Sequence, residues 1–338
     1  MRSWHLVLLA ALCSPGCATQ LTAPATAGLC AATAAQPAAD PRLAQAVAQA
    51  QRQHALFGGQ RINRAGAIVS VGFHEGEFDR LPGESTPTWQ RVAEFWAVLD
   101  SELPASFRSP DGGLVRIREL LERIDALQEG PADAGLDARQ RRAVASALLR
   151  IALIDHPWSA TFISYLMKTS GFGVGEFAFS DSHVDYVDQA VLASKAEARG
   201  AASDSAYRAC DIATTPPRPG DLICATRGGT SGIDQHADLL QRLAQRRLLP
   251  WRLSFPMHCD MVTRADEGGD AKLEAIGGNV FQSVTLRMMT LDDHKTLSRR
   301  YFPTHTPREC APGNEGCADN LSRSSWVVLL QFRNRIDR

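Results

Sequence analysis

The chain has 338 residues, 44% of them hydrophobic and 22% charged, with 36 Lys and Arg against 37 Asp and Glu. That length allows one domain with an N-terminal extension, or two domains, with enough apolar residues for a sizeable core. The balanced charge is that of an ordinary globular protein and lacks the basic excess expected of a nucleic-acid binder.

The N-terminus reads as an export signal. Met1 and Arg2 precede an apolar run from Leu6 to Leu12, which small residues and Pro15 follow. The run is too short to cross a bilayer, which takes about 20 apolar residues. Two endings fit. Ala25-Thr26-Ala27 offers a cleavage site after Ala27, giving residues 1–27 as the signal. Alternatively, Gly16-Cys17 is a lipoprotein junction that leaves Cys17 acylated and anchored to the outer membrane. Both imply the periplasm, with contact to a membrane only through that anchor. The following Ala, Thr and Pro residues carry little bulk to bury, so 28–40 is expected to be a disordered linker.

Residues 41–150 read as a helical region. A helix begins at Pro41 and stops at Gly58-Gly59. A second begins at Thr88 and ends before Pro104, with Trp89, Val92, Phe95, Trp96 and Leu99 on one stripe. A third carries Leu114, Ile117, Leu120, Leu121, Ile124 and Leu127, and a fourth runs from Asp137 as N-cap to about Ile154.

Residues 151–338 begin with the helix PWSATFISYLMKTSG, apolar almost all round and therefore buried, and a helix from Ser182 to Ala198 follows. From Pro219 the pattern shifts to strands: GDLICAT, RLSFPMHCDMVTR, KLEAIGGNVFQSVTLRMM and SWVVLLQFR. A glycine loop and a short helix interrupt them between Gly228 and Leu249. Helices followed by an antiparallel run of strands make an α+β domain.

Eight cysteines suit an oxidising compartment. Cys310 and Cys317 bracket a Pro/Gly turn that a local disulfide could close. Cys224 and Cys259 lie on strands that could be neighbours and form a second candidate pair, although the sequence leaves several pairings open with Cys30 and Cys210. The stretch His74 to Asp79 has metal-type side chains without the i, i+4 histidine pair of a helical zinc motif and reads as a solvated loop. Neither a metal nor a cofactor is expected.

Ser159, His258 and Asn279 follow the order nucleophile, base and orienting group. Ser159 stands in the first turn of a helix, where unpaired N–H groups and the positive end of the dipole can stabilise an oxyanion. His258 on a strand could take its proton, with Asn279 on the next fixing the imidazole. Each has a plainer use: a helix cap for Ser159, a structural strand histidine for His258, and a turn residue of positive φ for Asn279. Asp260 shares a strand face with His258 and competes as orienter, and His183 is a further candidate base.

The segments PWSATFISYLMKTSGFG, RPGDLIC, HCDMV and IGGNVFQSV, in this order, resemble the bacterial family known as domain of unknown function 2272. That family is similar to the NlpC-type and CHAP-type cell-wall hydrolases of the papain-like superfamily. In those relatives a tryptophan-cysteine pair opens a helix, a proline-glycine-aspartate turn starts the sheet, and a histidine lies on the following strand. Trp158-Ser159, Pro219-Gly220-Asp221 and His258 match these features, so the resemblance implies a papain-like fold with serine in the nucleophile slot. A serine needs a general base throughout, whereas a thiol is readily brought to thiolate. Cys259 would restore thiol chemistry only as a displaced nucleophile, without the field of a helix start. The resemblance implies an exported hydrolase or acyl-transfer enzyme acting on an amide in peptidoglycan or wall peptides. The alternatives are an inactive relative kept as an envelope binding module, or a structural lipoprotein.

Overall fold

The computed structural model describes residues 23–100, 135–249, 255–303 and 320–334. Its helices are α1 (Ala23–Ala34), α2 (Pro41–Leu56), α3 (Thr88–Asp100), α4 (Ala138–Ile154), α5 (Ser159–Thr169), α6 (His183–Glu197) and α7 (His236–Leu248). Its strands are β1 (Gln60–Ile62), β2 (Ile68–Ser70), β3 (Tyr207–Cys210), β4 (Leu222–Thr226), β5 (Met257–Ala265), β6 (Lys272–Val280), β7 (Ser283–Thr290) and β8 (Ser325–Phe332). They form one sheet in the order β2-β1-β7-β6-β5-β4-β8-β3, giving an α+β architecture.

Local chemistry sets the helix starts. Asp40 caps α2 by accepting from Arg42 N–H, and Asp137 and Gln140 close a reciprocal capping box on α4. Alternation then sorts the sheet. Leu222, Cys224, Cys259, Met261, Ile276, Val328 and Leu330 join the larger core with α2, α3, α5 and α6. Their neighbours Ile223, Ala225, Val262, Ala275 and Leu329 build a second core with Leu297, Tyr301 and Trp326.

The N-terminal region packs into the same core as the sheet. Phe95 of α3 lies 5.5 Å from Trp158 and 5.3 Å from Phe162, ring centroid to centroid, and Phe57 lies 5.8 Å from Trp158. The region is also not wholly helical: β1 and β2 form a short antiparallel pair, and β1 runs parallel to β7. That contact makes the sheet mixed where an antiparallel one was expected. The strands are three residues each, too short for alternation to show. The segment KLEAIGGNVFQSVTLRMM is two strands, turned at Phe281 and Gln282 with φ of 48° and 59°. Both central residues at positive φ define a type I′ hairpin turn.

The expected linker is a second correction. Residues up to Ala34 belong to α1, and Cys30 is buried in a disulfide with Cys210 of β3. Small residues lack bulk for a core of their own, but the cross-link and the Thr33 hydroxyl, which accepts from Arg208, fix them to the sheet. A second disulfide joins Cys224 to Cys259 across the β4/β5 pair, with Cα atoms 4.1 Å apart. Cys259 is therefore no displaced nucleophile. Cys17 with the rest of 1–22, the third helix at 114–127 and the Cys310 and Cys317 pair lie outside the described residues, whereas the expected cleavage position after Ala27 falls within α1. Two disulfides fit a compartment outside the reducing cytosol. No described helix is long and apolar enough to cross a membrane.

The Cys30–Cys210 bond spans 180 positions, and closing so long a loop removes about 5 kcal/mol of unfolded-state entropy in the chain-entropy estimate. Cys30→Ala/Cys210→Ala protein is expected to unfold at a clearly lower urea concentration than wild type. An unchanged midpoint would show that the cross-link contributes nothing to stability.

Candidate active site

Helix α5 enters the core at Trp158, which occupies the N-cap position and has no side-chain capping bond. Ser159 is the first helical residue and is 1% exposed. Its hydroxyl does not cap the helix. Oγ lies 2.7 Å from Nε2 of His183, the first residue of α6. On the far side of that ring, Nδ1 is hydrogen-bonded to the hydroxyl of Tyr186, one turn further along the same helix. The His183 ring meets that of His258 edge-on, with centroids 5.2 Å apart.

His258 belongs to a second chain of contacts. Its Nε2 donates to Asp260 Oδ1 at 2.7 Å, and the other carboxylate oxygen, Oδ2, accepts from Arg287 Nε of β7 at 2.9 Å. Asp260 is fully buried. Burial alone would raise its carboxyl, but the charges and hydrogen bonds of His258 and Arg287 outweigh that and hold it below the ordinary carboxylate range. Burial pushes His183 well below the ordinary histidine value, helped by the nearby charges of His258 and Arg227. Burial also lowers His258, against the raising effect of Asp260. Both imidazoles are therefore neutral at pH 7, as a general base must be.

A third group holds the helix start. Glu75 Oε2 accepts from Trp158 Nε1 and, at 2.8 Å, from Asn279 Nδ2. Glu75 is 4% exposed, and burial pushes its carboxyl up against the opposing Trp158 hydrogen bond. The stretch His74 to Asp79 is thus not simply a solvated loop. Asn279, with φ of 54°, is bonded to Glu75 rather than to His258, whose bonded carboxylate is Asp260. The Gly277-Gly278 pair before it explains how β6 comes so close. A Cβ on Gly277 would fall 1.8 Å from Asp260 Oδ1, and one on Gly278 would fall 2.5 Å from the Phe162 Cβ. No side chain fits at either position without moving the site.

The structure thus brings Ser159, His183, Tyr186, His258, Asp260 and Arg287 together, with Glu75, Trp158 and Asn279 clasping the helix start. Sequence order had placed His258 directly on Ser159, and the residue hydrogen-bonded to that hydroxyl is His183. Tyr186 was legible in principle, since a residue three after a helix-start histidine shares its face. Glu75 and Arg287 carried no such signal, being brought in by pairings of distant segments. Asp221 of the proline-glycine-aspartate turn is structural: it accepts from Arg218 and from the Phe332 N–H of β8. Cavities of about 540 and 390 Å³ flank α6, but neither is lined by Ser159, His183 or His258. The geometry, not the cavity, marks this site.

Residues 83–332 match the model of a family described as "Uncharacterized protein conserved in bacteria (DUF2272)". The match contains Ser159, His183, His258, Asp260 and Asn279, whereas Glu75 precedes it. Among curated proteins and solved structures, nothing matches the chain.

Proposed function

We propose that this chain, which belongs to the bacterial family DUF2272, is an exported cell-envelope hydrolase or acyl-transfer enzyme that acts on an amide, with Ser159 as nucleophile. The observation that carries this reading is the 2.7 Å contact between Ser159 Oγ and His183 Nε2 at an uncapped helix start. Peptidoglycan is the proposed substrate because the family resembles wall hydrolases and the leader directs the chain to the envelope. A papain-like ancestry, an export signal and, in the lipoprotein variant, acylation of Cys17 belong to the same proposal.

The chemistry runs as follows. Nε2 of His183 takes the Ser159 proton only in the tautomer with hydrogen on Nδ1, which then donates to the Tyr186 oxygen. Oγ attacks the amide carbon, and the oxyanion is stabilised by the first N–H groups of α5. Collapse breaks the C–N bond, the His183 proton goes to the leaving amine, and an acyl-serine remains. Water or an acceptor amine attacks that ester, giving its proton to His183 and restoring Ser159. His258, held by Asp260 and Arg287, packs edge-on against the His183 ring, whose burial keeps it neutral until it takes the serine proton.

The near-complete burial of Ser159 favours a second reading, a relative retained for binding. Digestion of purified peptidoglycan by the mature protein, with products followed by mass spectrometry, decides between them. Release of muropeptides by wild type and not by Ser159→Ala protein supports the enzyme; no release by folded wild type supports the binding module.

The pH dependence has a definite sign. A base whose pKa lies below the usual value of about 6.5 stays neutral to lower pH. The acid limb of kcat/KM is therefore expected below pH 6.5, and a limb above pH 7 would exclude His183 as the base. Stability moves in the same sense. Each buried histidine binds fewer protons folded than unfolded, so its contribution is full above about pH 6.5 and is lost as pH falls through its folded value.

A further inference from the structure

We propose that Arg227 is a carboxylate-binding subsite of this centre, so that the substrate is a peptide with a free carboxylate beside the amide that Ser159 attacks. The inference rests on the hydrolase reading for the identity of the substrate, and on the fold alone for the subsite.

Arg227 directly follows β4 and is held firmly by its backbone. Its N–H donates to Pro256 O at 3.0 Å, and its carbonyl accepts from Thr230 N at 3.1 Å and Thr230 Oγ1 at 2.8 Å. Its extended backbone, φ −146° and ψ 170°, continues the alternation of β4. Ala225 pairs with His258 across β4 and β5, so Arg227, two residues on, lies on the same sheet face at the end that carries His258. The guanidinium charge reaches His183, His258 and Tyr186, each of which it disfavours in the protonated state.

Other buried arginines among the described residues have carboxylate partners. Arg208 and Arg333 share Glu197, Arg218 pairs with Asp221, and Arg287 pairs with Asp260. Arg227 is half-buried, and loss of hydration pushes its guanidinium down. Among the described residues, no side chain forms an ion pair or hydrogen bond with it. Taking a cation out of water without a counter-charge costs free energy, and an arginine fork matches a carboxylate in shape and charge. A ligand carboxylate supplies the missing partner at the rim of the reacting centre. The adjoining Gly229 and Gly232 have nothing within 4 Å of a built Cβ, which leaves open space beside Arg227.

The test measures binding, separately from turnover. Calorimetric titration of Ser159→Ala protein uses a muropeptide with free carboxylates and the same muropeptide with those groups converted to amides. The free acid is expected to bind about tenfold tighter, the worth of one charge-assisted contact. Adding Arg227→Gln brings the ratio to about one, and Arg227→Lys keeps part of it. Since Arg227 has no ion pair to lose and its unpaired charge costs folding free energy, Arg227→Gln protein is expected to unfold at no lower a temperature than its parent. No preference for the acid, a preference that survives Arg227→Gln, or no binding of either muropeptide overturns the subsite. Arg227-dependent binding with no hydrolysis by wild type would sink the serine reading and leave the subsite standing. Hydrolysis that is indifferent to Arg227 would do the reverse.

Discussion

Ser159→Ala protein is expected to lose at least about 10³-fold in kcat on any substrate the wild type cleaves, with its fold intact. The substitution removes one hydroxyl from a buried site and leaves the His183 Nε2 without its partner, a cost of about 1 kcal/mol in stability. The chemical cost is far larger, because the other hydroxyl in the first turn of α5, that of Thr161, donates to Trp158 O, and Cys259 is held in a disulfide. His183→Gln sharpens the test. The amide can still reach Ser159 but takes up no proton in the relevant pH range, so a comparable loss is expected. If His183→Gln protein keeps most of the wild-type rate, His258 is the base and the contact with His183 is structural.

Asp260→Ala is expected to be the most destabilising substitution in the site, by about 3–5 kcal/mol. The carboxylate is fully buried and is the bonded partner of both His258 and Arg287. Its loss strands the Arg287 guanidinium in the core and frees His258 to turn. Urea unfolding reads the effect as a lower midpoint with an unchanged slope. The double variant Asp260→Ala/Arg287→Met recovers part of the stability, since the uncompensated charge is gone as well. Additive losses in the double variant would show that the pair contributes through packing rather than charge.

The sequence carried much of the scaffold and less of the site. The helix start at Pro41, the aromatic stripe of α3, the N-cap of α4 at Asp137 and the all-round apolar helix at Ser159 are local features, and each element stands where its pattern predicts. The hairpin at Phe281 and Gln282 was hidden because its turn uses two non-glycine residues at positive φ. Without an Asn-Gly or a glycine at the turn, β6 and β7 read as one run. Helix α1 was hidden because Ala-rich sequence with little bulk looks like a linker until the bond to Cys210 is known. In the site, residue order pointed to Ser159, and the period of two put Asp260 on the strand face of His258. Spacing alone could not show that α6 swings His183 onto the serine, or that Glu75 arrives from ahead of the family match. Those contacts depend on how α5 and α6 pack against the sheet, which no local pattern encodes.

The proposed chemistry requires the Ser159 hydroxyl to be an activated nucleophile. Reaction of the folded protein with a fluorophosphonate, read by intact mass and peptide mapping, tests it without knowledge of the substrate. A single adduct is expected on Ser159, absent from Ser159→Ala protein and formed more slowly in His183→Gln protein. A folded wild type that takes up no label, or an adduct that persists in Ser159→Ala protein, would contradict it.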